Sequence, residues 1–180
     1  NHDYSEEYQL LFHEKVYDII VEKDLWGSFV WNMFDFASDV RDEGGMKGMN
    51  NKGLVTYDRK TKKESFFYYK CNWNKDEKFV HVCGERFHDR ATESINVTVL
   101  TSSPALNSDL YIYNNDELVQ SIMNNDKIIN VFNIVLKEGI NNVKAVIKKS
   151  GSKKEIDHHV VEFEKVKDPN PDYILHNPKN

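Results

Sequence analysis

Residues 25–39, LWGSFVWNMFDFASD, interleave two tryptophans and three phenylalanines with Asn32, Asp35 and Asp39. An indole face suits a ligand that carries an apolar patch of C–H groups, as a sugar ring does. Amide, carboxylate and ammonium groups beside it can hydrogen-bond the hydroxyls around such a ring. Apolar walls with a few aimed polar groups are the general form of a ligand pocket. Trp31, Asn32, Asp35, Phe36 and the polar stretch up to Lys52 are therefore the candidate binding residues. The competing reading is that Trp26, Phe29 and Trp31 are simply core. Asp39, Asp42 and Glu43 read as solvated loop charges. His158 and His159 are neighbours in a strand-like stretch and point to opposite faces, so they read as surface histidines and do not form one metal site unaided. Cys71 and Cys83 fit no metal-ligand spacing and are expected as free, buried thiols. Neither a metal nor a cofactor is expected.

The elements that must position these residues change character near residue 75. Residues 5–22 read as an amphipathic helix, with Tyr8, Leu11, Phe12, Val16, Ile19 and Ile20 on one stripe. Asp3 or Ser5 can cap it, and Glu6 and Glu7 sit in the first turn, where carboxylates favour the helix dipole. Residues 26–34 read as one buried strand, and 35–53 as a long polar, glycine-rich loop. Thr61 and Glu64 fit a capping box for a second helix, SFFYYKCNW, with Phe66, Phe67 and Trp73 as packing residues. That order is the grammar of a parallel α/β fold. Beyond residue 75 the pattern turns to period two. INVTV, LYIY, IINVFNIVL, VKAVIKK and EIDHHVVEFEKV, separated by Asn/Asp/Gly turns, predict an antiparallel β-sandwich. The tail from residue 167 holds three of the four prolines and is expected as an extended linker.

Composition narrows the functional classes. The chain has 180 residues and a formal net charge of −5, so it lacks the basic excess that phosphate binding requires, and no nucleic-acid partner is expected. No apolar run approaches the roughly 20 residues that cross a bilayer, so no membrane partner is expected. The opening residues, NHDYSEEY, lack a methionine and read like the interior of a longer protein.

The string LWGSFVWNMFDF, followed by NNKGLVTYDRKTKKESFFYYK, resembles the end of the catalytic barrel in glycoside hydrolase family 2. That family includes β-galactosidases and β-glucuronidases. Its eighth barrel strand carries an F-V-W-N/D-x-x-D-F type pattern, matched by residues 29–36. An N-x-K-G-[LI]-x-T-x-x-R-x-x-K type segment follows it, matched by Asn50, Lys52, Gly53, Leu54, Thr56, Arg59 and Lys62. The later strands resemble the immunoglobulin-like sandwich that follows such barrels. The resemblance implies an α+β chain in three parts: the last strand and helices of a (β/α)8 barrel over 1–74, an immunoglobulin-like sandwich over 75–166, and an extended tail over 167–180.

Such enzymes hydrolyse β-glycosides with retention through two carboxylates about 5 Å apart. The resemblance places both glutamates on polypeptide preceding this chain, so no residue here is expected to be catalytic. Glu6, Glu7, Glu14 and Glu22 read as a solvated helix face. Substrate-binding roles fall by resemblance to Trp31 in the sugar-binding wall, to Asn50 and Lys52, and to Asp35 as a support beneath them. The implied substrate is a terminal β-D-galactoside, and the parent would hydrolyse it while this chain alone would be inactive. The alternatives are part of a β-glucuronidase, whose N-x-K pair binds the sugar carboxylate, or a non-catalytic carbohydrate-binding or structural module using Tyr111 and Tyr113. The expected partners are a carbohydrate and the remainder of the parent polypeptide, or an oligomer partner that buries FVWNMF.

Overall fold

The computed structural model of the chain describes residues 5–41 and 46–173. The elements run α1 (Glu6–Glu22), β1 (Phe36–Ala37), β2 (Met49–Asn50), α2 (Glu64–Trp73), β3 (Val80–Val82), β4 (Asp89–Arg90), β5 (Ser94–Thr101), β6 (Ser108–Asn114), β7 (Glu117–Asn125), β8 (Ile129–Val135), β9 (Gly139–Lys148) and β10 (Glu155–Lys165). Residues up to Tyr68 belong to one compact unit, and Tyr69–Tyr173 form another.

In the first unit α1 forms where its periodicity places it, and the Ser5 side chain caps it by accepting from the Tyr8 amide. Asp3 lies outside the described residues, as do Asp42 and Glu43. The expected inward stripe is corrected. Leu10 and His13 are the buried residues of α1, whereas Tyr8, Leu11, Phe12 and Ile19 are exposed. Periodicity identifies a face but not what covers it.

The buried strand expected over 26–34 is also corrected. Trp26 and Phe29 are 98% and 99% exposed, and this stretch makes one parallel bridge, Phe34 to Val55. A strand needs partners on its flanks, and among the described residues only the 53–55 segment lies alongside. The 35–53 loop is more ordered than expected. β1 and β2 pair antiparallel within it, with Phe36 opposite Asn50 and Ala37 opposite Met49.

The Thr61–Glu64 capping box does not form. Thr61 turns back to Thr56, where its amide donates to Oγ1 at 3.1 Å. α2 starts at Glu64, whose amide donates to Glu6 Oε2 at 3.2 Å. Glu6 is thus a carboxylate at a helix N-terminus, which the helix dipole favours, rather than a solvated charge. Along α2 the buried residues include Tyr68, Tyr69 and Cys71, while Trp73 is half exposed.

The second unit is built from two sheets. One has strand order β4-β10-β9-β6-β7 and the other β3-β5-β8; all neighbours are antiparallel except β4 and β10. Alternation along each strand sends one face inward. Val97, Val99, Phe132 and Ile134 from the smaller sheet share a single apolar core with Leu110, Ile112, Val143, Ile147, Val161 and Phe163 from the larger. Asn115 and Asp116, both at positive φ, close the β6–β7 hairpin, a conformation that asparagine and aspartate tolerate better than most residues. Buried Asn141 ties the β8–β9 connection, its Oδ1 accepting from the Lys137 amide and its Nδ2 donating to the Lys137 carbonyl.

Tyr111 and Tyr113 share the outward face of β6, and the Lys148 ammonium sits 4.6 Å over the Tyr111 ring. His158 lies outside beside Glu155, as expected for a surface histidine. His159 is corrected: its Nδ1 accepts from the Val82 amide, and its ring stacks on buried His81 at 4.7 Å. The described part of the tail, residues 167–173, departs from the extended linker as well, and 174–180 lie outside the described residues. Asn170 and Tyr173 hydrogen-bond back to Asp89 and His88, and Pro171–Tyr173 form a 3-10 turn.

Candidate functional site

The backbone of residues 32–35 runs beside residues 53–55. Leu54 donates to the Asn32 carbonyl, Val55 to Met33, and Asp35 to Val55, at 2.9, 3.0 and 2.9 Å. The approach is closest at Gly53. A Cβ there would lie 2.2 Å from the Asp35 nitrogen and 2.3 Å from the Phe34 carbonyl carbon, so only glycine fits without moving backbone.

Asp35 fastens this junction. It is buried, and its Oδ1 accepts from the Gly53 amide at 2.9 Å and from the Lys63 ammonium at 2.8 Å. Lys63 also donates to the Asn51 carbonyl at 2.8 Å. The Asp35 and Lys63 side chains are each 6% exposed, so this is a buried ion pair. Arg59, at positive φ, covers the Phe34 ring at 4.3 Å and reaches the Asp35 carbonyl with Nη1.

On this frame Asn50 is buried, and its Oδ1 accepts the Lys52 amide at 3.1 Å, an Asx-type turn that sets the direction of the chain at Lys52. Lys52 itself is exposed. Gln9 of α1 donates to the Lys52 and Gly53 carbonyls, each at 3.1 Å, and holds the turn from the other side. Trp31 is 65% exposed, with its ring set edge-on against Phe36 at 6.1 Å. Asn32 donates to the Phe34 carbonyl, while its Oδ1 is enclosed without a hydrogen-bond partner among the described residues. The peptide bond between Trp31 and Asn32 is cis.

The four residues singled out in the sequence thus divide by position. Trp31 and Lys52 present an indole and an ammonium to solvent, whereas Asn50 and Asp35 are buried and shape the segments that carry them. An exposed aromatic face with a cation on a braced turn can receive a polyhydroxylated ring and an anionic substituent. Lys63, Gly53 and Gln9 escaped the sequence reading. Lys63 lies in a run of similar cations, RKTKK, and nothing local marks it as the partner of Asp35; Gly53 was matched by motif but its steric role needed the fold.

Comparison with known proteins bears on this arrangement. No family model matches the chain. Over 102 residues it is 41% identical to a β-glucuronidase of Bacteroides fragilis. A crystal structure of an FMN-binding β-glucuronidase from Facaelibacterium prausnitzii L2-6 matches 95% of the chain at a TM-score of 0.80 and 37% identity. A presumed β-galactosidase from Bacteroides fragilis matches 90% at 0.75 and 35% identity.

Its relatives are glycosidases of the β-glucuronidase and β-galactosidase type. The resemblance to β-galactosidases and β-glucuronidases read in the sequence therefore holds. The matched stretch is 56% of this chain and 15% of the curated relative, and the chain spans 25% and 23% of the two crystallised proteins. It corresponds to a small part of each, as expected for a fragment of a larger glycosidase.

Proposed function

We propose that this chain is part of a retaining exo-β-glycosidase and supplies one wall of the subsite for the terminal sugar. Residues 1–74 would end a (β/α)8 catalytic barrel, residues 75–166 would form the immunoglobulin-like sandwich that follows it, and 167–180 the segment beyond. Trp31 offers its indole to the sugar ring. Asn50 sets the turn from which Lys52 reaches the ring substituents. Asp35 acts beneath the surface, through Gly53 and Lys63. The catalytic glutamates lie on other polypeptide of the parent, so this chain alone is expected to be inactive.

The observation that carries this reading is the brace itself. Three backbone hydrogen bonds bind residues 32–35 to Leu54 and Val55, and the Asp35–Lys63 ion pair reaches the Asn50–Lys52 turn through the Lys63 bond to the Asn51 carbonyl; the indole and the ammonium stay outside.

For the sugar, a glucuronide is favoured over the galactoside that the sequence reading places first. The relatives at 41% and 37% identity are described as β-glucuronidases, and an exposed ammonium suits a carboxylate. The galactoside remains the second reading, because a relative at 35% identity is described as a β-galactosidase. In the full-length polypeptide, Lys52→Ala is expected to lower kcat/KM for 4-nitrophenyl β-D-glucuronide and leave the β-D-galactoside nearly unchanged. One charge-assisted hydrogen bond is worth about 1.5–3 kcal/mol, or roughly 10- to 150-fold. Loss confined to the galactoside would reverse the choice. No change with either substrate would remove Lys52 from the subsite.

A further inference from the structure

Away from that wall, one edge of the larger sheet gathers three carboxylates and an imidazole. β4 and β10 pair in parallel, which sets Asp89 directly opposite Glu164. Like charges facing each other across strands are destabilising. Glu162 lies two residues earlier on β10 and faces the same side as Glu164. His88, just before β4, has Nδ1 2.7 Å from Asp89 Oδ1 and Nε2 3.5 Å from Glu162 Oε1.

His88, Asp89 and Glu164 each offer one donor atom, and no two of these atoms are further than 4.8 Å apart. The neighbouring cations are used elsewhere. The Arg90 guanidinium lies over the Phe87 and Phe163 rings at 3.8 and 5.0 Å, and the Lys165 ammonium pairs with Glu93 and Glu138 at 2.8 and 2.7 Å. Among the described residues the Glu164 carboxylate has neither a hydrogen-bond donor nor a cation beside it. Asp89 is already oriented, because Asn170 Nδ2 donates to its second oxygen, Oδ2, at 2.6 Å. The main chain of His88 is fixed too, its amide donating to the Tyr173 hydroxyl at 3.2 Å.

We propose that His88, Asp89 and Glu164 form a binding site for a divalent cation, with Asn170 positioning Asp89 for it. One imidazole nitrogen with two carboxylates is a donor set of the kind Zn²⁺ takes, and it leaves a position open for water. Bonds of about 2.0–2.2 Å set ligand atoms roughly 3.3 Å apart in a tetrahedron, so donors within 4.8 Å of one another need to draw in by at most about 1.5 Å. The cation neutralises the facing carboxylates and ties β4, β10 and the 170–173 turn together, so its role is to fasten this edge of the unit. Glu162, 3.5 Å from His88 Nε2, is the third carboxylate at this edge.

The test uses the chain after chelator treatment, titrated with ZnCl2 alone and followed by calorimetry and thermal melting. A single saturable binding event that raises Tm is expected. Glu164→Gln removes a ligand but breaks no bond of the folded chain, so it is expected to fold normally and to abolish that event. Asn170→Ala is expected to weaken it about 10- to 100-fold, as loss of a ligand-orienting partner does. His158→Gln, at the separate His158–Glu155 pair, is expected to change nothing. The proposal is overturned if Zn²⁺ gives no saturable binding, if Glu164→Gln binds as the native chain does, or if His158→Gln removes the binding. Ca²⁺ binding that survives His88→Asn would also overturn it, since that would be attraction to an acidic patch.

Discussion

Replacing Lys63 by methionine removes an ammonium and keeps most of the aliphatic stem. The Asp35 carboxylate then stays buried with the Gly53 amide as its side-chain donor, because Lys63 and Gly53 are the two groups bonded to Oδ1. Removing one member of a buried pair costs about 3–5 kcal/mol. Whole domains are stable by only about 5–15 kcal/mol, so the first unit would be left marginal. For a chain of this size each kcal/mol is worth about 2–4 °C, which gives a fall in Tm of roughly 6–20 °C.

The double variant, Asp35→Asn with Lys63→Met, leaves no unpaired charge and keeps an acceptor for the Gly53 amide. It is expected to recover a large part of the loss, with a coupling of about 0.5–3 kcal/mol. Urea unfolding gives the totals, and hydrogen exchange at the Gly53, Leu54 and Val55 amides shows where the loss falls. Those amides are expected to lose protection in Lys63→Met and regain it in the double variant. A single-variant cost below about 1 kcal/mol, the size of a surface pair, would refute the buried-brace reasoning. So would a double variant no more stable than the single.

Three further outcomes follow from the same geometry. Gly53→Ala places a methyl against the Asp35 and Phe34 backbone and is expected to destabilise by about 1–3 kcal/mol in urea unfolding. Cys71 is buried, and burial pushes its thiol pKa up to about 12, so iodoacetamide is expected to leave it unmodified until urea unfolds the chain. Burial holds the His13 pKa below its ordinary 6.5, so the unfolded state binds more protons. Stability is therefore expected to decline as pH falls through about 6.5 toward the lower folded value, and His13→Gln is expected to flatten that part of the stability–pH curve.

What could be read from the sequence is what short-range pattern determines. Period-two alternation in INVTV or VKAVIKK marks strands whichever neighbours they find, and Ser5 with the following Glu6 and Glu7 marks a helix start. Burial of the 26–34 stretch depends on flanking strands, which no local pattern supplies, so its aromatic richness suggested a core that the described residues do not build around it. The Asp35–Lys63 pair spans 28 positions, and the Glu6 cap on α2 spans 58. Neither has a local signature. Trp31 and the Asn50–Lys52 turn were found because a long motif singles them out; their division into exposed and buried members appeared only with the fold.

The most direct measurement is kcat/KM of the full-length polypeptide bearing Trp31→Ala, taken beside its melting temperature. Within this chain the indole is 65% exposed, so in the isolated chain its loss should change stability by no more than about 0.5 kcal/mol, as at other surface positions. The account requires kcat/KM for the preferred glycoside to fall at least about tenfold while Tm stays within a few degrees. A large drop in Tm with kcat/KM unchanged would show that Trp31 supports the fold and does not face a sugar.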